Sequence, residues 1–144
     1  MQIRRAKIND LHAIKHLLQQ YAKCDIEPYH LNKRDIALVA YADSGELIGF
    51  VWAGLMAGNK VAYVDKVAVA PGYTGKGVCQ ALYKEAIKLG AKVGVKEVQG
   101  IIRRDQYHDK SAMNALKCAF GADELPYTFV YTDLNKIQKE LGGL

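Results

Sequence analysis

The 144 residues carry 20 basic against 15 acidic side chains, a net charge of +5, and half of them are hydrophobic. A chain of this size buries roughly two-thirds of its unfolded surface, which predicts one packed domain over residues 1–144 and excludes global disorder. No run approaches the ~18 apolar residues of a membrane span, and Cys24, Cys79 and Cys118 lack the C-x-x-C spacing of a zinc site and the even count of a disulfide framework.

Histidine and cysteine are too dispersed to suggest a metal. The opening MQIRRAKIND is charged with no apolar stretch behind it, so a soluble cytoplasmic protein is the expectation. The modest positive charge favours anionic ligands such as a nucleotide-like cofactor. Lysines and arginines are interspersed with acids rather than clustered with aromatics, which places nucleic acid last among the partners.

In chain order, QIRRA reads as a short strand. Asn9 or Asp10 caps a following helix with Leu11, Ile14, Leu18 and Tyr21 on one face. CDIEPYHLNKRD reads as a loop or short helix broken by Pro28. Ile36–Ala42 is a strand, DSGE a turn, and ELIGFVWAGL the returning strand of a hairpin. A second turn at Ala57-Gly58-Asn59-Lys60 leads into a strand over Val61–Ala70. Val78, Leu82, Ala86 and Leu89 mark an amphipathic helix ending near Gly90. EVQGIIR is a further strand, Asp109 or Ser111 caps a helix through Ala112, Ala115, Leu116 and Ala119, and YTFVYTDL closes the sheet. The order β-α-(α)-β-β-β-α-β-α-β calls for an α/β (α+β) fold, a mixed sheet with helices on its faces.

Between the strand at Val61–Ala70 and its helix lies PGYTGKG. The first turn of a helix leaves about four N–H groups without intrahelical partners and carries partial positive charge. Gly75 and Gly77 let the backbone curl around an anion, and Lys76 adds a cation, which makes a diphosphate cradle. A P-loop is excluded, because Ala70 stands where its first glycine belongs and Gly77 where its hydroxyl belongs. The dinucleotide fingerprint fails as well, since Cys79 and Gln80 follow Gly75-Lys76-Gly77. ATP and NAD are both disfavoured.

V-A-P-G-Y-T-G-K-G-V resembles the acetyl-CoA-binding motif of the GCN5-related N-acetyltransferase (GNAT) family, in which [QR]-x-x-G-x-[GA] opens a helix and wraps the CoA pyrophosphate. The six matching positions are Thr74, Gly75, Lys76, Gly77, Val78 and Cys79, with Thr74 in place of Gln or Arg and Cys79 in place of Gly or Ala. The resemblance covers nearly the whole chain and implies a single GNAT domain with a mostly antiparallel central sheet and about four helices. It implies acetyl-CoA as cosubstrate, no metal, and backbone groups of Val67, Ala68 and Val69 holding the pantetheine arm. It further implies that Ser111 contacts the pantetheine, although Ser111 serves equally as a helix cap.

The implied reaction is direct attack of a neutral amine on the thioester, which requires a base and an acid for the leaving thiolate. Asp65 is the candidate base. Strand alternation would place it with Val61, Tyr63, Val67 and Val69, opposite Lys66, and burial there would raise its pKa; the alternative is an ion pair with Lys66 or a neighbouring arginine. Lys117 falls where many relatives carry an acid tyrosine, which leaves Tyr107, Tyr127 and Tyr131 as substitutes, Tyr131 being taken as the catalytic one; otherwise the thiolate leaves to solvent. His108 is a second possible base, or an exposed loop residue. Arg103 and Arg104 either steer an anionic group or end a strand in solvent. Cys79 is expected to be alkylation-sensitive beside the cofactor, and Phe50, Trp52, Tyr29 and His30 to line the acceptor pocket. A non-catalytic acyl-CoA-binding module on the same fold is the alternative function, and dimerisation through the C-terminal strands is open.

Overall fold

The computed structural model describes residues 1–22 and 24–100. The helix around Ala112–Ala119, the last strand and the candidates Arg103, Arg104, Tyr107, His108, Ser111, Lys117, Tyr127 and Tyr131 lie outside the described residues. Within them five strands form one sheet in the order β1 (Gln2–Arg5), β2 (Ile36–Tyr41), β3 (Leu47–Met56), β4 (Val61–Val69) and β5 (Glu97–Gly100). β1 to β4 pair antiparallel, and β5 runs parallel to β4 from Val61↔Glu97 to Val64↔Gly100. This is the mixed, mostly antiparallel α+β sheet that the sequence predicts.

Short connections enforce the antiparallel order. Gly45 takes a left-handed conformation (φ 87°) in the β2–β3 turn, and Ala57, Gly58 and Asn59 are all left-handed in the β3–β4 turn. β4 and β5 require a crossover, and helix α2 (Val78–Lys92) supplies it. Helix α1 (Leu11–Tyr21) connects β1 towards β2, followed by a 3-10 turn at Pro28–Leu31 where the sequence left loop and short helix open.

Gly49 seats α2 on the sheet. A Cβ there would lie 2.9 Å from Val78 Cγ1 and 3.0 Å from Leu82 Cδ1, so only glycine allows this approach. Cross-strand pairs that include Gly49 therefore face α2: Ala40, Gly49 and Val69, then Leu38, Val51 and Val67. The intervening pairs, among them Phe50↔Ala68 and Trp52↔Lys66, face the other way, towards α1. The core includes Ile14, Leu17 and Leu18 of α1, Leu38, Val39, Phe50 and Val51 of the sheet, and Val78, Leu82 and Tyr83 of α2.

Several expectations need correction. Tyr21 is exposed and Leu17 takes its place on the buried face of α1. α2 does not end at Gly90, which is buried and packs so closely on Val95 that a Cβ would sit 3.3 Å from it. The helix runs to Lys92, and the left-handed Gly94 (φ 98°) follows its end. Asp10 stands at the cap position of α1 but makes no capping bond. Its buried carboxylate instead accepts from Arg4 Nη1 and Nη2 (2.8 Å each), from Lys7 N–H (2.7 Å) and from the Tyr41 hydroxyl. The Arg4 guanidinium first, with the other donors, holds its pKa at about 2 against the partial opposition of burial.

Candidate active site

The loop between β4 and α2 begins with a 3-10 turn at Pro71–Tyr73, closed by Tyr73 N–H to Ala70 O (2.8 Å) and Thr74 N–H to Pro71 O (3.2 Å). Gly75 (φ 77°) and Gly77 (φ 82°) are both left-handed, separated by Lys76, whose ammonium lies 5.4 Å from the centre of the Tyr73 ring. The α2 ladder starts only with Ala81 N–H to Gly77 O (3.0 Å). Gly77, the residue before the helix, has no side chain to cap it, and the first turn holds no acid. Among the described residues the amides of Gly75, Gly77, Val78 and Gln80 donate to no backbone carbonyl or side chain.

A Cβ at Gly72, Gly75 or Gly77 would meet nothing within 4 Å. Packing therefore does not require these glycines; the left-handed backbone of Gly75 and Gly77 does. The result is an open ring of N–H groups at the positive end of a helix, which fits a diphosphate. Thr74 lies at the rim in extended conformation, and Cys79 is half-buried one residue inside the helix. Cys79 lies near Tyr83, whose phenol is pushed well above its usual pKa by burial first and by Cys79 second.

β4 is irregular where the sequence predicts regular alternation. Trp52 pairs with Lys66, yet the next residue, Ala53, pairs with Val64. Asp65 is the extra residue of a β-bulge. The bulge shifts the phase of the strand: Val61 and Tyr63 pair with Met56 and Gly54 on the α1 face, whereas Val67 and Val69 face α2. The expected common face for Asp65, Val61, Tyr63, Val67 and Val69 is therefore wrong. Asp65 is not buried in a valine-lined strand either; its side chain is 41% exposed and pairs with Lys66 Nζ at 3.2 Å, while the lysine side chain is only 15% exposed. Tyr63 lies close by, its phenol pKa raised by burial first and by the Asp65 carboxylate second.

Downstream of the bulge, Val67, Ala68 and Val69 bond to β3 on one side, opposite Val51, Phe50 and Gly49. On the other side, pairing with β5 stops at Val64 among the described residues. This segment leads directly into the glycine loop.

On the α1 face, the Trp52 indole lies along its own strand over Gly54, where a Cβ would sit 3.3 Å from Cη2. His30 meets it edge-on, with ring centroids 4.7 Å apart, and Tyr29 is 4.2 Å beyond. Asn32 holds the turn that carries these rings: its Nδ2 donates to Tyr29 O (2.8 Å), and its Oδ1 accepts from Arg34 and Asp35 N–H (2.7 and 2.8 Å). Trp52, Tyr29 and His30, expected to line the acceptor pocket, lie together as neighbouring rings. Phe50 does not join them, being fully buried in the core. The sequence reading missed Lys66 as a member of this face, because only the strand register reveals it.

Among the described residues no group of three His, Cys, Asp or Glu side chains is placed to hold a metal ion, and no helix is long and apolar enough to cross a membrane.

The chain resembles solved acetyltransferases along most of its length. Aminoglycoside N-acetyltransferase AAC(6′)-Iy in complex with CoA superposes with a TM-score of 0.70 at 20% identity, over 89% of this chain and 96% of that one. Ribosomal-protein-alanine N-acetyltransferase from Brucella melitensis biovar Abortus 2308 gives 0.68 at 21% identity, over 90% and 99%. AAC(6′)-IG from Acinetobacter haemolyticus gives 0.67 at 19%, over 90% and 95%. At these identities the likeness establishes the fold. No curated protein sequence matches significantly. The family model described as acetyltransferase (GNAT) family matches residues 6–120, most of the chain. The chain belongs to the GNAT acetyltransferase family.

Proposed function

We propose that this protein is a cytoplasmic acetyl-CoA-dependent N-acetyltransferase that acts on an amine by direct transfer. The observation that carries the reading is the set of amides at Gly75, Gly77, Val78 and Gln80 that have no partner among the described residues, at the start of α2. Thr74, Gly75, Lys76, Gly77, Val78 and Cys79 would hold the diphosphate of CoA. Lys76 supplies the charge that the missing Arg or Gln at position 74 does not. Val67, Ala68 and Val69 would hold the pantetheine arm through the β4 backbone on the side away from β3. Acetyl-CoA, when bound, supplies the thioester carbonyl that the amine attacks.

Asp65 sits on the bulge at the head of that segment, exposed enough to take the proton of an incoming ammonium directly or through one water. Its pair with Lys66 also favours the alternative, a CoA-binding module without turnover in which Asp65 is only an ion-pair partner. Tyr131 as general acid and Ser111 as a pantetheine contact remain part of the proposal, as do a single domain over residues 1–144 and the absence of a metal.

Thermal unfolding with acetyl-CoA, CoA and ATP tests the cofactor. At about 100 times Kd each CoA form raises stability by about 2.7 kcal/mol, and ATP leaves the midpoint unchanged; no shift with CoA would remove the reading. Thiol release with a panel of amines then separates enzyme from module, and Asp65→Ala lowers kcat only in an enzyme.

A further inference from the structure

On the α1 face beside the bulge, one buried donor has no acceptor and one largely covered ammonium has a single acceptor among the described residues. Trp52 and Lys66 are direct cross-strand partners, which puts their Cβ atoms about 5 Å apart on one face. Lys66 Nζ carries three N–H donors and has one carboxylate neighbour among the described residues, Asp65 at 3.2 Å. The indole Nε1 of Trp52 is shut off from water and donates to no group among the described residues. A buried donor without an acceptor is costly, and a largely covered ammonium needs a second anionic neighbour more than an exposed one does. The His30 ring closes the far side of the indole, with its own Nδ1 engaged by Glu27 N–H (2.9 Å). Among the described residues, an acceptor-bearing group is what this corner lacks.

Asp65 and Lys66 are adjacent and opposite in charge, with Asp65 the more exposed of the two. A ligand that carries an ammonium and a carboxylate a few atoms apart can exchange partners with this pair, its ammonium on Asp65 and its carboxylate on Lys66, and a shift of the indole that frees the buried Nε1 would add a second donor to that carboxylate. Resting on the acetyltransferase reading, we propose that the acceptor is a small amino acid with a free carboxylate, selected by Lys66 with Trp52. A polycationic amine would meet Lys66 as a like charge, and a protein N-terminus would bring an amide in place of the carboxylate.

The test uses free amino acids, their amides and the corresponding decarboxylated amines, in matched sets. Two readouts are taken: thiol release from acetyl-CoA, and calorimetric binding to the protein–CoA complex. The expected result is at least a tenfold preference in kcat/KM and in affinity for the free acid over its amide. Lys66→Met erases that preference chiefly through KM, Lys66→Arg retains it, and Trp52→Phe reduces it several-fold. A midpoint of unfolding within a few degrees of the parent confirms that each variant is folded. Equal turnover of acids, amides and amines, or a preference unchanged in Lys66→Met, overturns the proposal and leaves the acetyltransferase reading standing. Carboxylate-selective binding without turnover overturns the acetyltransferase reading and the acceptor role with it, and leaves only the recognition of a free carboxylate by Lys66. No binding and no turnover with any member overturns both.

Discussion

The two α-helices of the described chain begin in opposite ways. At the start of α1 the anion is part of the protein: Asp10 is buried and accepts from a guanidinium, a hydroxyl and a backbone amide. At the start of α2 no side chain caps the helix, no acid occupies the first turn, and the amides of Gly75, Gly77, Val78 and Gln80 have no partner among the described residues. The first junction is closed by residues that fold together from β1, α1 and β2. The second consists of glycines whose backbone conformation no packing contact explains. A junction that serves stability satisfies its polar groups internally; one that serves a ligand leaves them unsatisfied, and the contrast separates the two without reference to any relative.

The largest expected effect lies at the closed junction. Asp10→Ala leaves Arg4 facing a void and costs about 3 kcal/mol in denaturant unfolding, because breaking a buried pair strands its partner; the CoA-induced rise in midpoint persists. The same residue sets an acid limb. Its folded pKa of about 2 lies below the usual 3.8, so its stabilisation is complete above the unfolded value and is lost as pH falls from about 5 through 2. The linkage is worth about 2 kcal/mol, and Asp10→Ala flattens that part of the stability–pH curve. If instead Asp10→Ala abolished CoA binding, the division between the junctions would collapse.

At the open junction the expectation inverts. Gly77→Val forces a β-branched residue into a left-handed conformation at a cost of about 2 kcal/mol, and it removes the CoA-induced shift altogether. A variant that retained the full shift would show that the curled backbone is not the cradle. The smallest effect sharpens the comparison from beneath the helix. Gly49→Ala pushes Val78 and Leu82 off β3 and costs about 1 kcal/mol, with CoA affinity weakened several-fold by calorimetry as the first turn of α2 moves. Unchanged affinity would mean that the loop keeps its shape independently of where the helix sits.

The described strands, both described helices and the glycine loop were legible because each depends on residues close in sequence. β-branched runs and turn residues mark the hairpins, and the spacing of Val78, Leu82, Ala86 and Leu89 marks α2. What was not legible depends on register. The bulge at Asp65 reverses the face of Val67 and Val69, and no local pattern in VAYVDKVAVA announces it. The Trp52–Lys66 pair exists only once β3 and β4 are aligned, and the same alignment buries Phe50. Arg4, Asp10 and Tyr41 come from three elements, so their network could not be read from any one of them. Gly90 and Gly94 are four residues apart, and only the contact with Val95 tells packing glycine from terminating glycine.

The bulge lets the side chain and the backbone at position 65 be tested separately, which matters for redesign. Replacing Asp65 changes one side chain and leaves the geometry of β4 in place. Deleting it would let regular pairing resume with every face unchanged, Lys66 opposite Trp52 and Val67 opposite Val51, and the strand would lose only the local bend and extra twist that the bulge gives it ahead of the glycine loop. Position 65 therefore holds two separable things, an acid that substitution removes and a bend in β4 that only deletion removes.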